Sequence, residues 1–225
     1  MRRRHHQLAA GGVTLTLLGA LVLTGCGGAG SKDAAPKESA GVSDGTPSSA
    51  PSSSTPSSSA AAAATDRPKV VMPADVRHVY EGGRTGDPVK DAVLADNARN
   101  LEAIDTAITG DRASTEPALR FYNKDKALLA VADYIESYYA ENRSFVGTTR
   151  YYRRDVTVGG GTATLTYCAD ATQTYPKDRR TGKVDRSVPG SASDYTFFTE
   201  RLRKNDNGVW QSFDVTSGPG ADKCA

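Results

Sequence analysis

Thr162-Ala163-Thr164-Leu165-Thr166-Tyr167-Cys168-Ala169-Asp170 alternates in character. Ala163, Leu165, Tyr167 and Ala169 take one set of positions, and Thr162, Thr164, Thr166 and Cys168 the other. Successive side chains of a strand point to opposite faces of a sheet, so the pattern predicts a strand over 162–170 with one face on a core. Gly159-Gly160-Gly161 just before it lack the lysine and the following helix of a phosphate loop, so they read as a turn. Beyond that turn, 145–158 has high strand propensity, and the two runs make a hairpin.

Outward toward the N-terminus the apolar period becomes helical. Asp87-Pro88 supplies an N-cap followed by a proline at the first helical position, where its missing N–H costs nothing. Val89, Val93, Leu94, Ala98, Leu101, Ile104 and Ile108 then recur at helical spacing up to Gly110. A short second helix is expected to open at Thr115 with Pro117, turning Leu119 and Phe121 to the core. A third is expected over 124–141, with Leu128, Val131, Ile135 and Tyr138 as its apolar face and Asn142 at its end. Residues 67–86 show little periodicity and are expected to be partly extended.

Toward the C-terminus a weaker strand is expected over 172–175, and 177–193 is polar and punctuated by Gly and Pro, a loop. Strands over 195–203 and 209–215 flank Asn207-Gly208, a favoured hairpin pair. Helices followed by a meander of about four or five strands define an α+β domain, its helices packed on one face of a curved antiparallel sheet.

Before this domain lie two segments of different character. Arg2, Arg3 and Arg4 precede an uncharged apolar run of 16 residues, Leu8 to Leu23, which suits an export signal better than a membrane span of roughly 20 residues. Leu23-Thr24-Gly25-Cys26 resembles the lipobox of bacterial lipoproteins. That resemblance implies cleavage after residue 25 and a mature Cys26 carrying two or three acyl chains, palmitate among them; two chains are about what stable anchoring requires. An uncleaved anchor, or cleavage nearby with Cys26 free, is the alternative. The residues that normally follow a twin-arginine pair are missing, so the general export route is expected. From 26 to 66 the chain is rich in Ser, Ala and Pro and cannot bury enough surface to offset ordering, so it reads as a tether. Its length corresponds to about 35 Å end to end.

The net charge of +2 belongs to the signal. Without Arg2, Arg3 and Arg4 the chain has 25 Lys and Arg against 26 Asp and Glu, so no nucleic-acid partner is expected. The expected divisions are 1–25 signal, 26–66 tether, 67–86 leading segment and 87–225 domain.

The capped first helix, the short second, the inward Leu128, Val131 and Ile135 of the third, and strands ending in Gly208-Val209-Trp210 together resemble the NTF2-like, SnoaL-type fold. The run 163–170, with Thr181-Gly182 and the late Gly-Val-Trp, is similar to extracytoplasmic NTF2-like lipoproteins of actinobacteria. The resemblance implies a cone between the helices and the sheet; a cystatin-like fold with a flatter sheet is the alternative.

Little in the domain points to chemistry. His78 is the one histidine outside the signal, which excludes a multi-histidine zinc site; it reads as an exposed loop residue. With Cys26 lipidated, Cys168 and Cys224 remain in an oxidising setting, where a disulfide is expected. Arg150-Tyr151-Tyr152-Arg153-Arg154 mixes cations with aromatics, but strand alternation splits the five between two faces, leaving solvated arginines beside a half-buried tyrosine.

Tyr138, Tyr167, Asp170, Tyr195, Phe197 and Trp210 are the candidate lining of the cone. Some NTF2-like enzymes place an aspartate and a tyrosine there for proton transfer, and Asp170 with Tyr167 or Tyr195 is the closest analogue here. Asp170, however, sits at a strand end, where an aspartate often only caps a turn. The expectation is a membrane-anchored extracytoplasmic domain that binds a small ligand or an envelope protein, with no catalytic residue, metal or cofactor. A pocket enzyme and a structural envelope component are the alternatives.

Overall fold

Asp87 opens the first helix, α1 (Pro88–Thr109), as its sequence demands. Its side chain accepts from the amides of Val89 at 2.8 Å and Lys90 at 3.2 Å, and Pro88 sits in the first turn. This computed structural model describes residues 67–224, so the lipobox, Cys26 and the tether lie outside the described residues. The second helix, α2 (Arg112–Tyr122), starts three residues earlier than expected, because Asp111 caps it through the Ala113 amide at 3.0 Å. Pro117 is therefore inside the helix, where it forgoes one backbone hydrogen bond. α3 (Asp125–Ala140) ends as expected at Asn142, which takes a positive φ of 51° and donates its amide to the Tyr139 carbonyl at 2.9 Å.

Five strands follow the order β1-β2-β3-β4-β5 across one sheet. They are β1 (Val76–Tyr80), β2 (Arg143–Gly159), β3 (Thr162–Asp178), β4 (Tyr195–Lys204) and β5 (Trp210–Pro219). β1 runs parallel to β2 and every other pair is antiparallel, which corrects the expectation of a wholly antiparallel sheet. The connection from β1 to β2 carries all three helices, and so long a crossover is what parallel neighbours need. β3 also runs unbroken through the two strands expected over 162–170 and 172–175.

Two irregularities shape β2. Gly147 has φ +115°, and a Cβ there would stand 2.1 Å from the Gln173 carbonyl oxygen, so only glycine allows β3 to approach. Further on the register shifts between Tyr152 and Asp155, where Arg153 takes a φ of 49°. This bulge resets the alternation, so Tyr151 and then Arg154 point to the helices.

The concave face of the sheet carries the core. Val93, Leu94 and Leu101 of α1 pack on Tyr151, Val156, Leu165, Tyr167, Leu202 and Trp210. Ile104 and Ile108 form a second cluster with Leu119 of α2 and Val131 and Ile135 of α3. Val89, in the first turn of α1, is 41% exposed and lies outside the core stripe it was expected to join. On the convex face a short helix, α4 (Ala221–Cys224), brings Cys224 to Cys168; the two form the expected disulfide with Cα atoms 5.6 Å apart. Tyr152, Tyr195 and Phe197 pack around it.

Candidate functional site

Positions 93, 97, 101 and 105 repeat every four residues along the inner stripe of α1, and two of them are polar: Asn97 and Asp105. Both are buried facing the sheet, and each anchors a polar cluster on the concave side.

The first cluster joins α1 to the edge of the sheet. His78, expected as an exposed loop residue, lies on β1 with its side chain 2% exposed. Its Nε2 is 2.7 Å from Asp105 Oδ2, and its Nδ1 is 2.9 Å from the Tyr80 hydroxyl. Tyr80 spends its single hydroxyl hydrogen on the Ala98 carbonyl at 3.0 Å, so Nδ1 must donate to Tyr80. The remaining proton of the pair then lies between Nε2 and Asp105. Tyr151 donates to the same Asp105 oxygen at 3.5 Å, and its ring stacks on Tyr80 at 5.3 Å. Burial, with the Asp105 charge nearby, holds the Tyr80 and Tyr151 hydroxyls far above the usual phenol range.

The second cluster centres on Glu200, whose position on β4 is in phase with inward Phe198 and Leu202. Asn97 Nδ2 donates to Glu200 Oε2 at 2.7 Å. The Asn97 oxygen accepts from Arg154 at 2.9 Å, and the same guanidinium nitrogen donates to the Leu94 carbonyl at 2.8 Å. Arg154 is thus buried, contrary to the solvated arginines expected of the 150–154 run, because the bulge at Arg153 turns it inward. Its guanidinium lies 5.0 Å from the Tyr80 ring centroid and links the two clusters. Burial pushes the Glu200 carboxyl up to about 7, even though Asn97 and Arg154 favour its charge.

The candidate lining residues divide among three places. Tyr167 and Trp210 face the concave core, Tyr167 stacking on Phe198 at 4.8 Å. Tyr138 belongs to the helical cluster, its ring tilted against Phe145 at 6.0 Å. Asp170, Tyr195 and Phe197 lie on the convex face, so the six do not make one pocket. The pairings Cys168 with Phe197 and Asp170 with Tyr195 put these four side chains on the face opposite Tyr167. Of the two adjacent phenylalanines, Phe198 is the inward one.

Asp170 accepts from Arg150 at 3.0 Å and from the Thr172 hydroxyl and amide at 2.6 Å and 3.0 Å. Partial burial alone would raise its carboxyl; the Thr172 and Arg150 donors outweigh that and hold it below the usual carboxylate range. An ionised carboxylate braced on the outer face cannot work as a proton-transfer base in the cone. Among the described residues no three His, Cys, Asp or Glu side chains converge as a metal site requires.

The sequence matches no known family model and no curated protein. Among solved structures the chain is similar to a ketosteroid isomerase-like protein from Erwinia carotovora atroseptica, with 16% identity over 58% of this chain and 95% of that one and a TM-score of 0.38. It is similar as well to a protein of the NTF2-like family from Streptomyces avermitilis, with 16% identity over 60% and 98% of the two chains and a TM-score of 0.36. A nuclear transport factor 2-like superfamily protein from Salmonella enterica serovar Typhimurium has 13% identity over 58% and 90%, with a TM-score of 0.37.

Proposed function

We propose that the chain is a lipid-anchored extracytoplasmic protein whose NTF2-like domain binds a small ligand or an envelope protein without turning it over. The observation that supports a binding role is that the interior acid and base groups are engaged with one another. Both His78 nitrogens are taken, Asp105 Oδ2 accepts two donors, and Glu200 is held by Asn97. General acid–base work needs a titrating group within hydrogen-bond reach of a substrate proton. The anchor rests on Leu23-Thr24-Gly25-Cys26.

A pocket enzyme is the second reading, and it moves from Asp170 to Glu200, whose carboxyl near 7 suits proton exchange at neutral pH. A metabolite panel screened by thermal shift separates the two. A compound that raises the Tm of the wild-type chain and of Glu200→Gln alike, and leaves the chain unchanged, supports binding. Turnover that falls about two to four decades in Glu200→Gln would overturn it. In cells, Cys26→Ala should lose fatty-acid labelling and membrane retention; full retention of that variant would remove the anchor.

A further inference from the structure

Lys124, Arg203 and Lys204 converge on a groove of about 150 Å³ between the start of α3 and the β4–β5 hairpin, with Asp125, Asn205, Gln211 and Phe213 completing its walls. The three cations are exposed and form no ion pair among the described residues. Arg203 lies over Phe213, 4.8 Å from the ring centroid, so the groove has an aromatic floor under a guanidinium. Asp125 is the one acid in its lining, which leaves a local excess of two positive charges on a domain whose acids and bases otherwise nearly balance.

The place where the domain begins is close to this groove. Arg67 binds Asp96 at 2.7 Å, the other Asp96 oxygen accepts the Trp210 amide at 3.0 Å, and Trp210 pairs across the hairpin with Lys204. Three contacts thus connect the first described residue to the rim, and residues 26–66 precede it in the sequence. Gln211, another wall residue, is tied to the C-terminal end of α2 through the Phe121 carbonyl at 2.6 Å, and the Lys124 amide is tied to the Ser212 carbonyl at 2.8 Å. The cations therefore stand on a braced frame.

We propose that this groove seats the domain on an anionic phospholipid surface, with Lys124, Arg203 and Lys204 taking lipid phosphate groups. The proposal rests on the lipid-anchor reading for the presence of that membrane at the end of the tether. The charge excess matches the negative surface, and the groove lies close to Arg67, the first described residue after the 26–66 segment in the sequence. Each cation close to an anionic bilayer is worth about fivefold in partitioning, so three amount to on the order of a hundredfold.

The test uses unlipidated chain 26–225 carrying Cys26→Ser, sedimented with vesicles. It should partition at least tenfold better into phosphatidylglycerol-containing vesicles than into pure phosphatidylcholine, and the preference should fade as salt rises. Lys124→Glu/Arg203→Glu/Lys204→Glu should abolish it, while a single reversal in the distant loop, Lys183→Glu, should keep most of it. Equal partitioning into both vesicles, an unchanged triple variant, or equal losses per charge at Lys183 would overturn the proposal. Displacement by millimolar inorganic phosphate would assign the groove to a free anion and would overturn it too. A failed anchor shows separately, as absent labelling of Cys26 in cells, and leaves the vesicle result untouched.

Discussion

His78 Nε2 and Asp105 Oδ2 stand 2.7 Å apart and fasten the edge strand β1 to the C-terminal part of the sheet-covering helix α1. β1 has five residues and pairs on one side only, with β2. The buried pair ties it to the helical layer, beside the Tyr80 hydroxyl that donates to the Ala98 carbonyl at 3.0 Å. Removing one member of a buried pair leaves the other without its partner, at a cost of about 3 to 5 kcal/mol. Asp105→Ala is expected to lower unfolding stability by about 3 kcal/mol in urea. His78→Ala should cost a similar amount, and the double variant little more than either single. Additive losses would show that the two do not act as a unit.

The disulfide clips the C-terminus to the convex face across 56 residues. By chain entropy a loop of that length contributes roughly 4 kcal/mol. Cys168→Ala/Cys224→Ala should lose much of this in a denaturant titration, and Tyr152, whose hydroxyl meets the Cys224 carbonyl, should become more exposed. Mass spectrometry of the unreduced chain should find one bridge and no alkylatable thiol at these positions. Two free thiols there would refute the link.

Gly147 is the most crowded of the described glycines, since an added Cβ would sit 2.1 Å from the Gln173 carbonyl oxygen at a backbone φ of +115°. Gly147→Ala should cost about 3 kcal/mol or more through steric strain. Gly159→Ala, at the open end of β2 with nothing near its Cβ, should cost far less. Equal losses at the two positions would mean that β2 and β3 separate easily at Gly147.

How far the fold can be read from residues depends on whether the signal is local. Asp87-Pro88 and the 162–170 alternation each carry their information within a few residues, and the helix start and the strand they predict are present. β1 is not legible in this way: its five residues mix Val76, Val79 and Tyr80 with Arg77 and His78, and its partner strand starts more than sixty positions later. His78 cannot be placed without Asp105, 27 residues on. Arg154 escapes simple alternation because one bulge residue, Arg153, inverts the period of the strand beyond it. Asn97, Asp105 and Glu200 are visible in principle, as polar residues in phase with apolar core positions on α1 and β4. Their role as paired interior groups needs the sheet register. The adjacent Phe197 and Phe198 satisfy either phase of β4, and only pairing with β3 decides between them.

Glu200 sets the expected pH response of the fold. Its carboxyl titrates at about 7 when buried, against an ordinary value of 4.5, because burial penalises its charge. The folded state thus holds a proton that the unfolded state has already released between those two values. The stability linked to that proton is present in full below pH 4.5 and is lost as pH rises through 7. One pH unit of difference corresponds to about 1.4 kcal/mol, so the wild-type chain gives up on the order of 3 kcal/mol at this site. Glu200→Gln keeps an oxygen to accept from Asn97 and carries no charge at any pH, so its own contribution is flat. The stability difference between Glu200→Gln and wild type, measured by urea titration at pH 5 and pH 8, should grow by about 3 kcal/mol in favour of the glutamine variant at the higher pH. Groups common to both chains cancel in that difference. A gap that stays constant between pH 5 and 8 would mean that Glu200 ionises at its ordinary value, and would take the proton-exchange reading of the interior with it.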